Sequence, residues 1–143
     1  MMIISGKKYL LDTNILVYSQ DKKSAKHKRT LEIIDDLEEK ASTIFLTVQN
    51  LLEYSAVFSR HFKISKKEIA KDLDLFSQRS NLRVLYPNEA VFKSFISLMN
   101  SEPKIYVYDL FLVAYMKTYK IKTIISDDTD FEEIKDIEVL NPF

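Results

Sequence analysis

Short apolar runs alternating with longer segments of helical period constrain this chain more than any other feature. Tyr9-Leu10-Leu11, Thr43-Ile44-Phe45-Leu46-Thr47, the alternating run 82–86, Thr123-Ile124-Ile125 and the short run 137–140 read as strands. Between them the apolar residues recur three and four apart. Ile15, Leu16 and Tyr18 form a first short helix, and Leu31, Ile34 and Leu37 a second. Over 48–61 one broad face carries Val48, Leu51, Leu52, Ser55, Phe58 and Ser59, while Gln49, Glu53, Ala56 and Arg60 share a polar stripe. Ser65-Lys66-Lys67-Glu68 has the form of a capping box and opens a helix with Ile69, Leu73 and Phe76 as its core residues. A further helix over 90–99 stops at Asn100-Ser101-Glu102-Pro103, and 110–116 is apolar nearly all round, the mark of a buried helix. Strands that alternate with helices predict a parallel sheet covered on both faces. The expected class is therefore α/β, three layers with a central parallel sheet of four or five strands, in one domain over 1–143.

Several function classes are excluded by composition. Gly6 is the only glycine, which removes the glycine-rich phosphate loops of P-loop and dinucleotide-binding proteins. With no cysteine and two histidines, disulfides and Cys/His zinc sites are out as well. Absence of cysteine suits a cytoplasmic protein. Residues 1–8 lack the apolar core of a secretory signal, and the longest apolar run, 110–116, is too short to span a bilayer, so no membrane association is expected. Lys+Arg and Asp+Glu are both 21, so a polyanionic partner must be held by a local patch or through a cation. The densest basic cluster is Lys22, Lys23, Lys26, His27, Lys28 and Arg29. It reads first as a solvated helix start and second as a contact to an RNA backbone.

The carboxylates are placed by topology rather than by spacing. In an open α/β sheet, ligands sit outside the carboxyl ends of the strands, where the helices begin. Asp12 follows the first strand and Asp128 the fourth; Glu53 lies in the early turns of the helix after the second strand. Asp109 opens the buried helix that precedes the fourth strand. Each has an ordinary explanation as well. An N-cap carboxylate stabilises a helix start by about 1 kcal/mol, and Glu53 could simply pair with Arg60 or Gln49. All four are nevertheless expected at one edge. Carboxylates gathered in a cleft repel one another unless a cation joins them. An all-oxygen set without His or Cys suits Mg²⁺ or Mn²⁺.

Leu11-Asp12-Thr13-Asn14, Asn50-Leu51-Leu52-Glu53-Tyr54, Asp109 before its apolar helix, and Ser126-Asp127-Asp128-Thr129-Asp130-Phe131 occur in an order that resembles the PIN-domain ribonucleases. The closing Ile137-Glu138-Val139-Leu140-Asn141-Pro142 extends the likeness over essentially the whole chain. Within that superfamily the sequence is similar to the VapC-type toxins of toxin–antitoxin pairs. The resemblance implies a PIN-like α/β/α fold and Mg²⁺- or Mn²⁺-dependent cleavage of RNA. It also implies an antitoxin protein as partner and a homodimer. Asp12, Glu53, Asp109 and Asp128 match the acidic quartet, with Asp12 and Asp109 expected on the main cation. Thr13, Asn14 and Ser126 match small polar positions that orient ligands or substrate. Asp127, Asp128 and Asp130 crowd together, so the fourth ligand is Asp128 first and Asp130 second, with Asp127 read as a solvated or helix-start charge. Two further readings stand beside a toxin nuclease: an RNA-processing PIN nuclease, and an inactive PIN-like binding scaffold. A phosphatase that uses an Asp after its first strand needs a second Asp two residues on, and Asn14 stands there.

Overall fold

The structure is a computed structural model that describes residues 3–143; Met1 and Met2, the first positions of the opening segment, lie outside it. Five strands, β1 (Lys8–Leu11), β2 (Thr43–Thr47), β3 (Leu82–Leu85), β4 (Thr123–Ile125) and β5 (Glu138–Leu140), form one sheet in the order β3-β2-β1-β4-β5. All four pairings are parallel, with Leu10 beside Phe45 on one flank and Leu11 beside Ile125 on the other. A central parallel strand is buried on both faces and so reads as an unbroken apolar run. Tyr9, Leu10 and Leu11 fit that rule, each almost wholly buried.

Side chains of β1 alternate between two cores. Leu10 packs with Phe45 and Ile124 in a cluster that includes Val91, Leu98, Leu110 and Val113 from α5 (Glu89–Ser101) and α6 (Val107–Thr118). Tyr9 and Leu11 face the other way, toward Ile44, Leu46 and Ile125. That second core is closed by α1 (Thr13–Gln20), α2 (His27–Glu39), α3 (Val48–Arg60) and α4 (Lys66–Gln78), through Ile15, Ile33, Tyr54, Phe58 and Phe76. The three-layer α/β/α architecture with five parallel strands is thus the expected one. No described helix is long and apolar enough to cross a membrane.

Two helices present a different face from the one their apolar spacing suggests. In α2 the buried residues are Thr30, Ile33 and Leu37, whereas Leu31 is exposed. Thr30 turns inward because its hydroxyl donates to the Lys26 carbonyl at 2.8 Å, leaving its methyl for the core. In α3 the inward residues are Asn50, Tyr54 and Phe58, and Leu52 is 67% exposed. Asn50 is fixed by the helix start itself. The Thr47 hydroxyl accepts from the Asn50 N–H at 3.0 Å while Asn50 Oδ1 accepts from the Thr47 N–H at 3.0 Å, a complete capping box. The expected box at Ser65 is half formed among the described contacts, with the Glu68 N–H donating to Ser65 Oγ at 3.2 Å.

Candidate active site

Where adjacent parallel strands send their connections in opposite directions, their carboxyl ends leave a crevice. β1 leads to β2 on one side, and β4 leads through a short 3₁₀ helix, Thr129–Glu133, to β5 on the other. The crevice is therefore between β1 and β4. Asp12 stands in it, its N–H donating to the Ile125 carbonyl at 3.0 Å. Its side chain caps α1, as the modest reading held, with Oδ1 accepting from the Thr13 N–H at 2.7 Å. Its other oxygen accepts from the Ser126 hydroxyl at 2.7 Å. Ser126 in turn accepts from the Asp128 N–H at 2.9 Å, so one fully buried hydroxyl fixes two carboxylate positions. The Asn14 amide lies 3.5 Å from both Asp12 and Ser126.

Glu53 comes to the same crevice from α3 and is held at both oxygens. The Thr13 hydroxyl donates to Oε2 at 2.8 Å, and the Gln49 amide donates to Oε1 at 2.9 Å. Behind Thr13, the buried Asn50 donates to its hydroxyl at 3.0 Å. Gln49 also donates to the Tyr108 carbonyl at 3.2 Å, which ties α3 to the first turn of α6. Asp109 occupies that first turn rather than the cap position, which belongs to Tyr106 and carries no side-chain cap bond. The polar stripe of α3 was visible in the sequence, but the roles of Gln49 and Asn50 were not. The one available signal was the Thr47-x-x-Asn50 spacing at a strand end.

One carboxylate oxygen each from Asp109, Asp128 and Asp130 lies within 4.8 Å of the others. Asp12 and Glu53 flank this trio without joining it. Burial, then the negative charges of Asp128, Asp12, Asp130 and Glu53, push the Asp109 carboxyl up to about 7. Burial also raises Asp12, against the lowering effect of its bonds from Ser126 and Thr13. Among the described residues no Lys or Arg forms an ion pair with any of these five carboxylates. The negative charge is uncompensated. The chemistry of this all-oxygen trio fits a hard divalent cation such as Mg²⁺ or Mn²⁺.

Asp127 differs from its neighbours. Lys26 ion-pairs with it, and the Tyr18 hydroxyl donates to it at 2.9 Å. The hydrogen bond from Lys26, with that from Tyr18, holds the Asp127 carboxyl below the usual range. It is a pinned structural charge and not a solvated one. Part of the basic cluster is engaged as well: Lys26 lies 5.2 Å from the Tyr18 ring centre and 4.9 Å from that of Phe143. Arg29 donates to the Pro142 carbonyl at 3.2 Å.

A parallel sheet with carboxylates collected at its switch point defines an α/β protein with an acidic cleft. Residues 9–137 match the family model of the PIN domain, and the chain belongs to that family. No curated protein matches the sequence. Solved structures with the same fold include VapBC2 from Rickettsia felis bound to a promoter DNA fragment, at 24% identity and a TM-score of 0.69, over 94% of this chain and 98% of that one. Another is VapC20 of Mycobacterium tuberculosis, described as a Sarcin-Ricin loop cleaving toxin, at 14% identity and a TM-score of 0.71, over 91% and 98%. DNA-bound VapBC from Salmonella typhimurium is similar at 15% identity and a TM-score of 0.71, over 96% and 99%.

Proposed function

We propose that this chain is a Mg²⁺- or Mn²⁺-dependent endoribonuclease and the toxin of a toxin–antitoxin pair, acting in the cytoplasm. The observation that carries the reading is the trio Asp109, Asp128 and Asp130, flanked by Asp12 and Glu53, with no protein cation among the described residues to balance it. Membership of the PIN family supports the class, and the toxin–antitoxin complexes that share the fold support the setting. RNA is favoured as the polymer because the motifs resemble those of the PIN-domain ribonucleases, and VapC20, of the same fold, is described as a Sarcin-Ricin loop cleaving toxin.

Asp109, Asp128 and Asp130 would hold the cation, with Asp12 and Glu53 completing the acidic set. A divalent ion held there would activate a water and offset phosphate charge. The chain's residues do the rest. Ser126 keeps Asp12 and the Asp128 backbone in register, and Thr13 and Gln49 fix the plane of the Glu53 carboxylate. Glu53 and Asp128 are the candidate proton acceptors beside the attacking water. Cleavage leaves a 5′-phosphate and a 3′-hydroxyl. An antitoxin protein would regulate the cleft by covering it, and a homodimer is the expected assembly.

The test is direct. Purified protein is incubated with mixed RNAs in Mg²⁺, in Mn²⁺ and in chelator, and the ends are mapped. Metal-dependent fragments with 5′-phosphates are expected; no cleavage with either metal, or equal cleavage in chelator, would refute the assignment.

A further inference from the structure

A groove of about 530 Å³ lies between α3 and the start of α6, lined by Leu52, Tyr106 and Tyr108 and by Glu53 and Asp109 of the acidic set. It thus continues from the carboxylate cluster. Three properties indicate what it takes. No Lys or Arg lines it, so a phosphate entering it meets only negative charge. Tyr106 and Tyr108 are 62% and 54% exposed, with ring centres 5.4 Å apart, instead of being packed into the core. Gln49 forms part of the wall, and its amide nitrogen is already held by Glu53 and Tyr108, so it leaves no free donor for a phosphate. Apart from the tyrosine hydroxyls, the polar side chains here offer acceptors. A base edge carries N–H donors and a face that stacks on aromatic rings, whereas a phosphate carries neither.

We infer that this groove holds one unstacked base of single-stranded RNA, adjacent to the phosphate at the carboxylates, with Tyr106 as its stacking platform. The inference rests on the nuclease reading, because a strand anchored at the cluster brings its neighbouring base to the groove. Tyr106 is then a substrate-binding residue that adds affinity and places the strand, without selecting among bases.

The experiment uses full-length Asp12→Asn protein in Mg²⁺, with short single-stranded oligoribonucleotides carrying 2-aminopurine at successive positions. Affinity is read by anisotropy and stacking by the fluorescence of the probe base. One position should respond on binding. Adding Tyr106→Ala should abolish that response and weaken binding about 5- to 140-fold, the worth of stacking one base. Tyr106→Phe should preserve both, and Leu52→Glu, on the other wall, should reproduce the loss. An oligonucleotide abasic at the responding position should bind the Tyr106→Ala protein and its parent alike. If Tyr106→Ala binds as its parent does, with the same response, the base site is wrong and the nuclease reading stands. If Tyr106→Ala leaves RNA binding intact but lowers the solution mass, the groove belongs to a second copy of the chain. If wild-type protein neither binds nor cuts RNA in Mg²⁺ or Mn²⁺, the nuclease reading falls and takes the base site with it.

Discussion

Ser126 Oγ donates to Asp12 Oδ2 at 2.7 Å, closing the crevice between β1 and β4 with a single hydroxyl hydrogen. The same oxygen accepts from the Asp128 N–H, so the serine sets the spacing of two acidic positions. Ser126→Ala removes both bonds inside a buried site. An expected loss of about 1–3 kcal/mol follows, measurable by urea unfolding. Metal affinity should fall about 10-fold or more, as for other residues that orient ligands from behind. Unchanged affinity by calorimetry would mean that Asp12 and Asp128 are positioned some other way.

Asp12→Asn should reduce RNA cleavage at least about 100-fold without loss of fold. Burial already raises the Asp12 carboxyl, so a neutral amide relieves the metal-free protein of an unfavourable charge. In chelator at pH 8 the variant should melt at or above the wild-type temperature, and Mg²⁺ should reverse the order. A variant that keeps full Mg²⁺-dependent activity would remove Asp12 from the chemistry.

Asp109 gives the metal-free protein a pH dependence of definite sign. Its carboxyl is pushed up from 3.8 to about 7 by burial and by the surrounding carboxylates. Between those values the folded chain retains a proton that the unfolded chain has released, so stability falls as pH rises through this window. Below 3.8 both states are protonated and the effect is absent. Thermal melts in chelator should show the decline from about pH 4 to about pH 7. Asp109→Asn should flatten it, and so should saturating Mg²⁺. A wild-type profile flat across the window would contradict the charge crowding described at the site.

Lys26 is tied to Asp127 and to the rings of Tyr18 and Phe143, so it is not a free phosphate contact. Lys26→Met should leave the salt dependence of RNA binding unchanged. It should instead lower stability by about 0.5–1 kcal/mol and loosen the C-terminal residues, seen as faster amide exchange there. A shallower salt slope in the variant would restore the RNA-backbone reading.

Asn50→Asp isolates the support of Glu53. The acceptor oxygen that completes the Thr47 cap survives, but the donor to Thr13 is lost and a charge is buried. The variant should lose about 1–3 kcal/mol and bind metal more weakly, whereas Asn50→Ser should keep part of the cap. If Asn50→Asp unfolds at the wild-type urea concentration, the Asn50-Thr13-Glu53 chain of hydrogen bonds is not a support.

The sheet was legible because strand and helix periods differ, and because β1 and β4 are apolar on both faces. The carboxylates were legible because a charge placed where an apolar run stops marks the edge of a sheet. Rotations of α2 and α3 were not. Thr30 and Asn50 count as polar in any periodicity, yet each is buried with its polar atoms satisfied by nearby groups. Their inward turn carries Leu31 and Leu52 outward. Asp127 was already set apart from Asp128 in the sequence, but what pins it was not legible, since Lys26 reaches it from the residue before α2, 101 positions away.

Asp12 and Ser126 are 114 positions apart, and β4 must be seated against β1 before they meet. During synthesis the first half of the cleft leaves the ribosome long before the second. No nascent chain that stops short of the segment after β4 can assemble the acidic set, however well its earlier helices have formed. On the nuclease reading, the chain would stay inert for most of its own translation, and a restraining partner would have until the last strands emerge to arrive.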